Sequence, residues 1–132
     1  MSDKPRGLRN SNPGNIIYSA SNQWEGETGT DGRYATFSTP EYGIRAMVKI
    51  LDSYQRRGVD TVSAIITTWA PASDNNDTLA YINSVCQRTG FEPNFILNAL
   101  DYPLLIDAII YHENGDQPYD EGVIAAGIRM AG

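Results

Sequence analysis

Hydrophobic positions recur along this chain mainly with a helical period. Ile44, Met47, Val48, Leu51 and Tyr54 or Gln55 mark one face of a predicted helix, which ends at Gly58. Thr39, Pro40 and Glu41 form its start signal: a capping residue, a proline for the first turn and an acid for the positive end. A second helix is predicted from about Asp60, with Val62, Ile65, Ile66 and Trp69 as its stripe and Pro71 as its stop. A third follows the loop "PASDNND", capped by Asp77 or Thr78, carrying Leu79, Ile82, Val85 and Cys86 and closed by Gly90. "PNFILNALD" suggests a short fourth helix, Pro103 opens a fifth, and "YDEGVIAAGIRMA" predicts a last one. Only the N-terminal part alternates: "NIIYSA" (15–20) and "RYATFS" (33–38) read as short strands joined by the polar, glycine-rich loop "SNQWEGETGTDG". Residues 1–12 are rich in turn formers and read as an irregular arm. The expected fold class is mainly α (α+β): one domain over residues 1–132 with a small β-hairpin near the N-terminus.

The fifth helix departs from its own pattern. In "LLIDAIIYHENG", Leu105, Ile109 and Glu113 lie four apart, and Glu113 follows Ile110 by three. The glutamate therefore ends the apolar stripe instead of standing opposite it, and Gly115 is a stop signal just beyond. An apolar setting and the negative end of a helix both favour the protonated acid, the form a general acid uses. The plain alternative is a glutamate turned to solvent from a frayed last turn.

Composition narrows the chemistry. The chain has 132 residues, 41% of them apolar, enough for a real core. Its net charge of −6 argues against nucleic acid as a partner, since phosphate binding wants a basic face. A neutral glycan is compatible with that charge. Cys86 is the one cysteine and His112 the one histidine, so neither an internal disulfide nor a multi-histidine metal site is available, and no metal or cofactor is expected. A Cys86–His112 nucleophile is formally possible, but Cys86 shares an apolar stripe with Ile82 and reads as a core thiol. No apolar run suits membrane insertion, and "MSDKPRGLRN" carries no conventional signal peptide.

Several segments resemble a group of bacteriophage virion proteins related to the lysozyme-like superfamily: "RGLRNSNPGNI", Trp24, "DGRYATFSTPEYGIRAM" and "WAPASDNNDTLAYINSV". In lytic transglycosylases and glucosaminidases of that superfamily, a helix ending in a pattern like "AI..ESG" carries the catalytic glutamate and a hairpin follows it. Here no glutamate precedes Glu25, whereas Ala108, Ile109, Glu113 and Gly115 resemble the pattern near the other end. The resemblance thus implies a lysozyme-like domain with its parts in circularly permuted order.

It also implies a peptidoglycan-cleaving glycosidase or lytic transglycosylase acting on glycan strands, located in the phage virion or made in the host cytoplasm and delivered to the periplasm. Other virion proteins would be further partners. The alternative is a non-catalytic virion component with a structural or glycan-binding role. Glu113 is the candidate general acid. Asp31 and Glu25 on the hairpin loop are candidate second carboxylates, with Glu27 behind them. Asp31 before Gly32 also fits a simple turn, and both glutamates fit a solvated loop. Asn15 and Gln23 are candidate partners for sugar hydroxyl or acetamido groups, and Trp24 and Tyr81 candidate floor and wall. Trp69 reads as core, Glu41 as a helix-start residue, and Tyr18 and Tyr34 are open to either use.

Overall fold

A computed structural model describes residues 4–132. It is mainly helical with one two-stranded antiparallel sheet: α1 (Arg6–Arg9), β1 (Glu27–Thr30), β2 (Ala35–Phe37), α2 (Pro40–Arg56), α3 (Val62–Trp69), α4 (Thr78–Thr89), α5 (Tyr102–Asn114) and α6 (Glu121–Ala131). The start and stop signals act as their chemistry dictates. The side chains of Thr61, Asp77 and Asp120 accept hydrogen bonds from the first-turn amides of α3, α4 and α6, and Gly90 and Gly115 close α4 and α5 in the left-handed conformation. Thr39 holds the capping position of α2 without a side-chain cap.

Helix α5 is the centre of the core. Leu105, Ile106, Ile109 and Ile110 are all fully enclosed, so apolar neighbours surround the helix on most sides. Helix α2 adds Ile44, Met47, Val48 and Leu51 to the same core, and α6 packs along α2. At that crossing Gly127 is required: a Cβ there would stand 2.5 Å from Cβ of Ile44 and 2.9 Å from the carbonyl oxygen of Glu41.

Three sequence expectations change. The arm 1–12 is not irregular throughout, because α1 forms a short turn whose Gly7 lies against Asn114 at the end of α5; a Cβ there would come 2.7 Å from the Asn114 Oδ1. Residues 1–3 of the arm lie outside the described residues. The expected strand 15–20 reduces to one bridge, Ile17 to Tyr34. Its physical cause is Asn12, a fully buried amide whose Nδ2 donates to the carbonyls of Ile16 and Ala35 and whose Oδ1 accepts from the Ile16 amide. That side chain takes over bonds a ladder would make. Asn15, with φ +52°, then turns the backbone left-handed and ends any extended run. The first true strand, β1, lies inside the segment expected to be loop and pairs with β2 across the tight turn Asp31–Gly32.

The expected fourth helix is also absent. Residues 92–98 make a turn at Pro93 and Asn94 and then pass the start of α3, where the carbonyls of Pro93 and Phe95 accept from the amides of Ser63 and Val62 at 2.8 and 3.3 Å. Those amides open α3 and have no partner within it, so tertiary pairing overrides the weak helical pattern there. A single 3-10 turn, Ala99–Asp101, held by reciprocal bonds between Asn98 and Asp101, leads into α5.

Candidate functional site

A cleft of about 1030 Å³ is open to solvent. It runs between the N-terminal segment and hairpin region, one face of α2 and the end of α3. Residues Asn15, Gln23, Trp24 and Glu25 line it from the N-terminal side, Arg45, Lys49 and Arg56 from α2, and Trp69 and Asn76 from α3 and the loop after it. The end of α5 contributes Glu113.

Glu113 is half-buried and held from two sides. The Asn15 amide donates to Oε1 at 2.9 Å, and the Tyr81 hydroxyl donates to Oε2 at 2.7 Å. These partners lie 98 and 32 residues away in sequence. Next to it, Asn114 Nδ2 donates to the Pro13 carbonyl at 2.9 Å, which fastens the end of α5 to the loop that presents Asn15. Asn15 reaches the carboxylate from a left-handed backbone, a conformation that asparagine tolerates better than most residues. Its Oδ1 is buried without a partner, so its amide nitrogen is the end committed to Glu113.

Tyr81 sits on α4 and is 2% exposed. Burial first, then the neighbouring Glu113, raises its hydroxyl well above the ordinary tyrosine range, so it stays protonated as a donor. The Trp69 side chain lies near the same hydroxyl and offsets part of that rise. His112, exposed on α5, stacks on the Tyr81 ring at 3.8 Å between centroids.

The structure redistributes the other candidates. Tyr81 is not a cleft wall: its ring is in the core and only its hydroxyl matters, through Glu113. Asn15 likewise spends its amide on the carboxylate. Gln23 and Trp24 do line the cleft, and Trp24 also packs against the core. Trp69, read from its stripe as core, is half-buried and reaches the cleft as well. Glu25 lies along the cleft but is exposed, with Oε2 3.4 Å from Arg45 Nε.

Asp31 is not among the cleft residues. Its Oδ1 accepts from the amides of Arg33 and Tyr34 at 3.0 and 2.8 Å, and its Oδ2 from Arg6 and Asn10. The guanidinium of Arg6 first, then these other donors, holds its carboxyl far below the usual range. Asp31 therefore ties the hairpin turn to α1, which is the turn reading its place before Gly32 offers. Glu27 accepts from the Trp24 amide at 3.0 Å and braces the loop.

Glu41 lies in the first turn of α2 as its helix-start reading requires. Tyr34 lines the cleft, and Tyr18 lines a smaller hollow with Trp24 and Glu27. Cys86 is half-buried, with burial and Glu92 raising its thiol, which disfavours a thiolate nucleophile. Among the described residues no three metal-ligating side chains converge. Sequence reasoning passed over the cleft-facing cations of α2, whose signal was the polar spacing Arg45, Lys49, Arg56 opposite the apolar stripe. It also missed the Asn15 and Tyr81 bonds to Glu113, which no sequence pattern announces.

No helix among the described residues is long and apolar enough to cross a membrane. No protein-family model matches the chain. Compared with curated proteins, the chain is 42% identical over 132 residues to Protein P5 of Pseudoalteromonas phage PM2, an alignment covering 96% of this chain and 82% of that protein. By identity of that extent across nearly its whole length, the chain belongs to the family of this bacteriophage protein.

Proposed function

We propose that the chain is a peptidoglycan-cleaving glycosidase of a bacteriophage, with a lysozyme-like domain in permuted order and Glu113 as its general acid. One observation carries the reading: a carboxylate from the end of an apolar helix lies in the cleft, fixed at both oxygens by donors from distant parts of the chain. A fixed acid is what delivery of a proton to a glycosidic oxygen requires. Trp24 and Trp69 supply flat apolar surface and Gln23 and Asn76 supply hydrogen-bonding groups, the combination sugars select.

Among the two routes, lytic transglycosylation fits better than hydrolysis. Hydrolysis wants a second carboxylate to activate water or attack the sugar. Asp31 is engaged in the hairpin turn and Glu25 faces Arg45. In the transglycosylase route Glu113 gives its proton to the leaving oxygen as the C1–O bond breaks. The C6 hydroxyl of the same sugar then attacks C1, and its proton returns to Glu113. The products are a new chain end and a 1,6-anhydro ring, with no water consumed.

Purified Gram-negative cell walls test this directly. Wild-type protein clears them and releases fragments about 18 mass units lighter than hydrolytic products, the mass of the one water that ring closure leaves unconsumed. Glu113→Gln, nearly isosteric, abolishes clearing while circular dichroism and melting stay close to wild type. Clearing by Glu113→Gln at the wild-type rate removes the assignment. A non-catalytic glycan-binding role has one observation in its favour, that both Glu113 oxygens already have internal donors, and it predicts binding with no released product.

A further inference from the structure

The cleft concentrates positive charge in an acidic protein. Of the ten lysines and arginines in a chain of net charge −6, Arg33, Arg45, Lys49 and Arg56 line it. Arg45, Lys49 and Arg56 stand four and seven residues apart on α2, near whole helical turns, so they form one stripe opposite the apolar face that builds the core. Lys49 is spent on the carbonyl of Ala131 at 2.8 Å.

The guanidinium groups are less fully engaged: Arg33 lies over the Tyr34 ring at 5.4 Å from its centroid, and Arg45 is paired at 3.4 Å with the exposed Glu25. Arg33 and Arg56 have no carboxylate partner among the described residues. The Nε of Arg45 is buried without a hydrogen bond, although Glu25 stands 3.4 Å away. A nearby acid, Asp52, accepts from the Tyr102 hydroxyl at 3.2 Å. A guanidinium is planar and suited to a carboxylate, and those of Arg33 and Arg56 line the cleft without one.

We propose that Arg33, Arg45 and Arg56 form a carboxylate-recognition wall that reads the peptide stems of peptidoglycan, so that the cleft selects peptide-substituted glycan over bare sugar polymer. This rests on the peptidoglycan reading above. The sugar backbone of peptidoglycan is largely uncharged, whereas its short peptides end in and branch through free carboxylates. Cations beside the glycan-sized groove are therefore of use to the stems and of little use to the sugar rings.

The test uses full-length Glu113→Gln protein, to prevent turnover, and soluble glycan strands of equal length prepared with their stems or stripped of them by an amidase. Tryptophan fluorescence reads the binding, since Trp24 and Trp69 line the cleft. Stem-bearing strands are expected to bind about three- to tenfold more tightly, the scale of two solvent-facing ion pairs. In an Arg33→Gln/Arg56→Gln background the preference falls to near one. Arg57→Gln, which alters a neighbouring charge outside the cleft, leaves the preference intact.

Equal binding to both strands overturns the stem wall while leaving the glycan reading in place. An equal loss in Arg57→Gln also overturns it, because bulk charge then suffices. Binding to neither strand, with no wall clearing by wild type, overturns both readings together.

Discussion

The Tyr81 hydroxyl donates a 2.7 Å hydrogen bond to Oε2 of Glu113, joining the middle of α4 to the last turn of α5. The donor is enclosed by protein and its partner opens on the cleft, so the bond spans the boundary between core and solvent. It also explains how an acid at the end of an apolar stripe is kept from swinging into water. Tyr81→Phe keeps the ring and its stacking on His112 and deletes only this bond. The variant is expected to fold, to lose about 1 kcal/mol of stability by denaturant titration, and to clear cell walls about tenfold more slowly. Wild-type clearing would mean that Tyr81 does not position the acid.

Asn15 offers a separate test from the other side of the carboxylate. Its backbone is left-handed, so alanine would add backbone strain to the loss of the amide. Asn15→Gly avoids that strain and removes only the side chain. The expected result is a melting temperature near wild type with clearing reduced about tenfold, since Oε1 of Glu113 then has no fixed donor. A variant that clears normally would show that Asn15 merely shapes the loop.

Asp31 is expected to matter for stability and not for chemistry. Its folded-state carboxyl is depressed below the ordinary value of 3.8, chiefly by Arg6, so its contribution is present above that pH and is lost as pH falls below it. Asp31→Asn should therefore melt below wild type at neutral pH, with the gap closing progressively under pH 3.8. Its specific clearing activity at room temperature should match wild type. Abolished clearing in a folded Asp31→Asn would return this residue to the list of catalytic carboxylates.

The sequence by itself determined helices α2 to α6, because each combines an apolar stripe with a start or stop signal of its own. Thr61, Asp77 and Asp120 cap with side chains that reach amides within three residues, and Gly90 and Gly115 adopt conformations that other residues avoid. The place of Glu113 was legible for the same reason: a period of 3.6 residues fixes which face a side chain joins. Tertiary structure decided what local signals could not weigh. "NIIYSA" and "PNFILNALD" had the composition of a strand and a helix, yet a buried Asn12 amide and the open amides of α3 supplied stronger partners from elsewhere. Asp31 had the chemistry of a catalyst and was taken by Arg6 and the turn. The site itself depends on contacts 98 and 32 residues apart, Asn15 and Tyr81 meeting one carboxylate. Periodicity reports only which way a side chain faces, whereas burial and hydrogen-bond satisfaction across the whole chain decide what it meets there.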